Sequence, residues 1–171
     1  MSNKIDHQKS VADMVLSKLE LLDRYCIIAG GAPRDWYLGN EATDIYLHYP
    51  VNTTSEQRIE LLTHLGFEIK SKHEEWGVNE LYEANHYISN LYTCEFMDEK
   101  VQIIFVVKPT FTSVVDTFPI SISKVWYKKG QIKTTGDFDY SVRHKIIWKT
   151  VDSYKEDDKY LVKIKNKFSD Y

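Results

Sequence analysis

The chain has 171 residues, 43% of them apolar and 27% charged, with a formal net charge of −3. That length suffices for one compact domain with a real core, and the small negative charge excludes a global field that recruits nucleic acid or membrane. Cys26 and Cys94 lie in separate apolar runs and suggest no disulfide framework, so a reducing, cytoplasmic setting is expected. Residues 1–22 lack a signal peptide's apolar stretch, and nowhere do about 18 apolar residues run together, so neither secretion by that route nor a membrane span is expected.

In chain order, Val11, Met14, Val15, Leu19 and Leu22 recur at helical spacing and predict an amphipathic helix over 8–22. Residues 25–29 read as a short buried strand closed by Gly30-Gly31. A short helix over 33–38 follows, with Pro33 in its first turn, where the missing N–H costs nothing. Residues 43–48 form the second strand. Thr54-x-x-Gln57 resembles a capping box opening a helix with Ile59, Leu62 and Leu65 on its core face, stopped by Gly66. A strand begins over 67–70, and 71–90 read as irregular.

Residues 91–96 and 101–107 are expected strands of a hairpin turning at 97–100. A short helix is expected over 109–116. Residues 120–127 and 131–134 form a second hairpin around Lys128-Lys129-Gly130, 137–144 form a helix, and 146–150 are ambiguous. Ser153-x-x-Glu156 opens a last helix with Tyr160, Leu161, Ile164 and Phe168 on one face, its lysines at the C-terminal end complementing the dipole. The expectation is one mixed α/β (α+β) domain over 1–171: an N-terminal helix in 1–23, a core over 24–150 with a mixed β-sheet flanked by helices, and a C-terminal helix in 151–171.

The chemistry concentrates at 26–46. A glycine pair after a strand lets the backbone approach a ligand without Cβ interference. N–H groups at a helix start favour an anion, and Arg34 is placed to add a bidentate contact to phosphate. The same residues also make an ordinary strand-to-helix turn with two surface charges.

Gly30-Gly31-Ala32-Pro33-Arg34-Asp35, followed closely by a strand beginning Asp44-Ile45-Tyr46, resembles the head of the polymerase-β-type nucleotidyltransferases, in particular the poly(A)-polymerase and tRNA CCA-adding class. There the order is strand, Gly-Gly-x-x-Arg-Asp, short helix, Asp-x-Asp. Residues 118–127 resemble the family's later Asp-Phe-Thr-Ile-Asn-Ala motif, with Pro119 at the acidic position. The helix at 159–168 is similar to that of compact phage-encoded relatives. The likeness is tight over 29–47 and loose elsewhere across 24–168.

The resemblance implies a mixed sheet, a nucleotide held at Gly30, Gly31, Arg34 and Asp35, and Mg²⁺ on a carboxylate row. Two-metal transfer needs ions about 4 Å apart, clamping the attacking and leaving oxygens. Alternate strand residues share a face and supply adjacent carboxylates. Asp44 supplies one, as metal ligand and catalytic residue. Tyr46 stands at the second acidic position, and its phenol is neutral near pH 7 and a poor ligand for a hard cation. Gln102 is the best match to the third. Asp98 and Glu99 read as hairpin-turn residues and serve as ligands only in a different register. Asp35 pairs with a neighbouring base, caps backbone N–H groups, or joins the metal. One or two carboxylates suffice for a substrate-chelated Mg²⁺, which keeps its waters, but not for a two-ion centre.

The six histidines show no i, i+4 pairing and no cysteine partners, which disfavours structural zinc; His48 is a pocket candidate or an exposed strand-end residue. Lysines 124, 128, 129 and 133, together with Trp126, Tyr127, Trp148 and Tyr154, either track a single nucleic-acid strand or form a solvated face over core aromatics. The aromatics near Trp76, Tyr82, Tyr87 and Tyr92 equally suit a protein-binding surface. The expectation is a nucleotidyltransferase-fold protein with a degenerate metal site that binds a nucleoside triphosphate, an RNA end or a protein partner. A phage accessory or counter-defence role in host cytoplasm follows from the phage-encoded resemblance. The alternatives are an active Mg²⁺-dependent nucleotidyltransferase moving NMP from NTP to an RNA or protein acceptor, and an unrelated α+β domain.

Overall fold

The computed structural model describes residues 2–20, 26–43, 45–49, 55–73, 88–106, 115–116, 118, 120–150 and 155–171. Helix α1, Ser2–Glu20, starts earlier than its apolar spacing predicts. Its first turns are held by polar contacts, Lys4 and Gln8 to Glu99 and Gln8 to Ala42, which a hydrophobic pattern does not register. Strand β1, Ile27–Ala29, leads through Gly30 into α2, Gly31–Tyr37, and β2, Ile45–Tyr49, follows. Helix α3, Ser55–His64, ends as expected before Gly66 (φ +91°), although Thr54 of the expected capping box lies outside the described residues.

The remaining strands are β3, Glu68–His73, β4, Ile88–Phe96, β5, Glu99–Val106, β6, Val125–Lys128, and β7, Gln131–Thr134. Residues 71–73 and 88–90 are therefore strand, not irregular as their weak periodicity predicts. Most of the expected helix over 109–116 lies outside the described residues, and only Val115 and Asp116 are seen as helical. Helix α4, Gly136–His144, has Thr135 as its N-cap, accepting from Phe138 N at 3.2 Å. Helix α5 is Lys155–Lys167.

The strands form one mixed seven-stranded sheet in the order β3-β4-β5-β2-β1-β6-β7. Every pairing is antiparallel except β2 with β5. Both hairpins turn on residues in the left-handed region, Met97-Asp98 (φ 50° and 63°) and Lys129-Gly130 (φ 52° and 77°). Such φ values match the right-handed twist of the flanking strands. The first turn is therefore tighter than the 97–100 segment expected, and Glu99 belongs to β5.

Alternation along the strands divides the core. Ile28, Ile45, Tyr92, Cys94, Val101, Ile103 and Phe105 face α1 and α3, packing with Val11, Val15, Leu19, Leu62 and Trp36 of α2. Ile27 and Ala29 point the other way, towards Val115, Phe118 and Trp126. A second cluster joins Ile120, Ile122, Val125, Phe138, Ile147, Ile164 and Phe168, so α4 and α5 close over the β6 end. The expected strand over 120–127 is broken in two. Ile120 makes an isolated bridge to Lys149, and Ser121–Ser123 curl into a 3-10 turn before β6. The cause is non-local: Ser121 Oγ takes hydrogen bonds from Ser141 Oγ (2.6 Å) and Trp148 N (3.1 Å).

Candidate nucleotide site

Gly30 ends β1 and caps α2 with φ 85° and ψ −122°, a backbone state open in practice to glycine alone. Its N–H donates to Val125 O at 3.0 Å, tying the turn to β6, and its carbonyl accepts from Arg34 N at 3.2 Å. A Cβ at Gly30 would meet only the Phe118 ring, at 4.0 Å. The requirement there is for backbone freedom rather than space. Gly31 is the first residue of α2.

Arg34 and Asp35 are both buried, at 4% and 2% exposure. They do not sit on the surface as the ordinary-turn reading has it. Arg34 Nε donates to Asp35 Oδ1 at 3.0 Å, and Lys167 Nζ, from the end of α5, donates to Asp35 Oδ2 at 3.0 Å. The Arg34 guanidinium lies 5.2 Å from the centroid of the Phe168 ring, within cation–π range. One carboxylate is thus shared by two cations, above an aromatic ring.

The β1 end carrying Gly30 runs antiparallel beside the start of β2, with Ile27 opposite His48 and Ile28 opposite Leu47. Continued one step, that register brings Ala29 level with Tyr46. Tyr46 is in turn the parallel-ladder partner of Gln102 in β5, and Gln102 pairs with Thr93 in β4. Trp126, Ala29, Tyr46, Gln102 and Thr93 therefore form one row across the sheet. Gln102 itself, 9% exposed, lies on a strand whose neighbours Val101 and Ile103 face the helical core. Pleating turns it to the other side, where Ala29 meets Phe118 and Trp126. Asp44 and Pro119 lie outside the described residues, as do the side chains of Tyr46 and His48.

Glu99 is not free at a hairpin tip. It is buried, accepts from Lys4 Nζ at 2.8 Å and takes a longer contact of 3.4 Å from Gln8 Nε2. Gln8 was not singled out by the sequence, because a glutamine on a polar-looking helix turn carries no local signal. It is 1% exposed. Its Oε1 accepts from Trp36 Nε1 (3.0 Å) and Ala42 N (2.9 Å), and its Nε2 donates to Ala42 O (2.8 Å). The carboxamide thereby clamps α1 to α2 and to the segment just before Asp44. Tyr127 fixes the other flank of α1 by a hydrogen bond to Asp13; burial first, and then that carboxylate, hold its phenol above its ordinary range. Burial alone pushes the Cys94 thiol up to about 12.

As a donor set for Mg²⁺, the row offers a phenol and an amide at two of its positions, and neither suits a pair of hard cations. Among the described residues no group of three or more His, Cys, Asp or Glu side chains converges.

A mixed sheet with a Gly-Gly turn feeding a short helix and a parallel β2–β5 pair defines a nucleotidyltransferase-type fold. Solved structures agree. The chain is similar to a tRNA-processing enzyme in its apo form I, with TM-score 0.54 and 15% identity over 81% of this chain and 35% of that one. It is also similar to the Bacillus stearothermophilus CCA-adding enzyme in complex with CTP, with TM-score 0.52 and 12% identity over 80% of this chain and 32% of that one. The chain spans about a third of the length of these structures, and at such identities the likeness is one of fold. No family model matches the sequence, and no curated protein sequence matches it. No described helix is long and apolar enough to cross a membrane.

Proposed function

We propose that the protein is a nucleotidyltransferase-fold protein that works by binding a nucleotide, free as a triphosphate or as the end of an RNA, and not by transferring it. The observation carrying this reading is the ladder pairing of Tyr46 with Gln102. Two positions where the family resemblance calls for carboxylates are neighbours in adjacent strands, and both are uncharged near pH 7. A site left with the Asp44 carboxylate alone would hold a phosphate-chelated Mg²⁺ but lack the second ligand that bridges two ions. The Gly30 turn, which needs a glycine backbone, is retained beside that row.

The resemblance to compact phage-encoded relatives extends the proposal to a viral accessory role in host cytoplasm, counter-defence included, in which the nucleotide site or the surface around it engages a host component, an RNA end or a protein. Mg²⁺ enters as part of the ligand.

The test is calorimetric titration of each NTP with and without Mg²⁺ on wild type, Asp44→Ala and Arg34→Ala, run beside a labelled-NMP transfer assay on RNA. Saturable NTP binding that is weakened in both variants, without incorporation of label, is the expected result. Mg²⁺-dependent incorporation abolished by Asp44→Ala would establish the transferase alternative instead. Its second ligand would have to come from Asp35, Asp98 or Glu99, and Asp35 and Glu99 are already ion-paired.

A further inference from the structure

The lysines and aromatics of residues 124–133 do not form one face. Tyr127 belongs to the core beneath α1. Lys124 Nζ is held by Asp137 at 3.1 Å, and Lys128 Nζ by Glu20 at 3.3 Å and by the Cys26 carbonyl at 2.9 Å. Lys129 sits in the hairpin turn. Trp126 and Lys133 remain. They are direct partners in the β6–β7 ladder, and the side chains of such partners lie together on one face. Val125, Tyr127 and Ile132 beside them pack into the core under the helices, so pleating puts Trp126 and Lys133 on the opposite face. Trp126 is half-buried there against Ile27, Ala29 and Val115. Lys133 is exposed, and no carboxylate among the described residues pairs with it.

That face leads to the Gly30 turn. Trp126 is also the ladder partner of Ala29, and Gly30 N bonds to the carbonyl of Val125, its neighbour in β6. Phe118, packed on the same cluster, lies 4.0 Å from where a Cβ on Gly30 would stand. From the turn outward, β1, β6 and β7 stand side by side, about 4.8 Å apart. They present a glycine backbone, an indole and an ammonium group in that order. The alternation suits phosphate, base and phosphate along one nucleic-acid strand, which is held by cations on its backbone and aromatic rings under its bases.

We propose that Trp126 and Lys133 form a subsite for the 5′-phosphorylated end of a single RNA strand: the first base stacks on Trp126, and Lys133 takes the phosphate beyond it. The inference rests on the reading of the Gly30 turn as a phosphate site, and it chooses between the two ligands of that reading. A nucleoside triphosphate carries its phosphates on the 5′ carbon, so the strand end that fits the same turn is the 5′ end. A free triphosphate fills the turn and the indole and leaves Lys133 without a phosphate, whereas a strand end engages all three. Stacking uses the π-face that every base has, so the subsite takes all four bases.

Calorimetric titration of wild type, Trp126→Ala, Trp126→Phe and Lys133→Ala tests it, with inorganic tripolyphosphate, ATP and 5′-phosphorylated triadenylate as probes, each in Mg²⁺. Wild type should bind triadenylate severalfold more tightly than ATP. Trp126→Ala should weaken ATP and triadenylate by about tenfold or more, the worth of one stacked base, and leave tripolyphosphate unchanged. Trp126→Phe should recover most of that loss. Lys133→Ala should weaken triadenylate severalfold without weakening ATP. It should also lower the slope of log affinity against log salt for triadenylate by about 0.7, the share of one phosphate on a single strand. Lys133 is exposed, so its variant carries the comparison if Trp126→Ala does not fold. Tripolyphosphate and ATP binding, with triadenylate no tighter than ATP or indifferent to both substitutions, would overturn the subsite and leave the phosphate reading standing. Binding of none of the three probes would overturn both.

Discussion

Replacing Gln8 with alanine should destabilise the protein more than any other single change to a polar side chain in α1. The carboxamide satisfies Trp36 Nε1 and both backbone polar groups of Ala42, at 2.8 to 3.0 Å, in a position 1% exposed. Alanine strands all three. A buried donor or acceptor left without a partner costs about 1–3 kcal/mol. Water entering the vacated space recovers some of that, which sets the expected loss at about 3 kcal/mol. For a chain of this size, about 2–4 °C of Tm per kcal/mol makes the shift roughly 6–12 °C.

Urea unfolding followed by tryptophan fluorescence measures it, with an unchanged m-value as the check that the unfolded state is comparable. Gln8→Glu sharpens the test. It keeps the oxygen that accepts from Trp36 and Ala42 N, loses the donor to Ala42 O, and places a carboxylate where Nε2 stands 3.4 Å from Glu99 Oε2. Burial and that like charge raise the new carboxyl above its unfolded value of about 4.3. The variant's stability is then fullest below that value and falls as pH rises through the folded pKa, so its deficit against wild type should shrink from pH 7 to pH 4.5. A Gln8→Ala cost under about 0.5 kcal/mol, the size of an ordinary surface change, or a Gln8→Glu deficit independent of pH, would refute the clamp.

Gly30→Ala should cost about 1–3 kcal/mol from backbone strain at φ 85°, ψ −122°, read as a fall in urea midpoint. Gly31→Ala, with no positive φ and ordinary 3.5 Å clearance from Arg34 Nη2, should be close to neutral. Cys94, its thiol raised to about 12, should resist iodoacetamide in the native protein at pH 8.5 and react freely in urea. Because both Cys94 and Tyr127 are raised in the folded state, the stability they confer is complete below about pH 9 and should decline as pH climbs towards 12, with Cys94→Val reducing the slope. Finally, Tyr46→Asp combined with Gln102→Asp should create Mg²⁺ affinity, measured by calorimetry without nucleotide; no gain over wild type would show that this row is not the metal row.

What the sequence disclosed was what is local. The Gly30 turn, a short helix after it, the lysine–glycine hairpin at 129–130 and the helix α4 each depend on residues within a few positions of one another, and all appear near where they are expected. Errors fell where distant partners decide. Ser121–Ser123 carry a strand-like alternation, yet the Ser141 hydroxyl and the Trp148 backbone draw them into a 3-10 turn. Residues 71–73 and 88–90 carry only weak periodicity, yet ladder pairing with β4 and β5 makes them strand. Lys167 reads as a dipole-complementing lysine. Its bond to Asp35 across 132 positions leaves no trace in spacing or composition.

The one parallel pairing in the sheet gives the candidate site its meaning. A slip of one residue between β5 and β2 would exchange Gln102 for Val101 or Ile103 and leave an apolar residue beside Tyr46. The parallel ladder instead matches Ile45 with Val101 and Tyr46 with Gln102. Core-facing residues are thereby matched with each other, Ile45 with Val101. Burial of Ile45, Val101 and Ile103 fixes that register, since sliding β5 by one residue would turn Val101 and Ile103 out of the core while Ile45 stayed in it. The core therefore holds the position of the row whatever residues occupy it. The identity of the residues in the row and the retention of the sheet are thus physically independent.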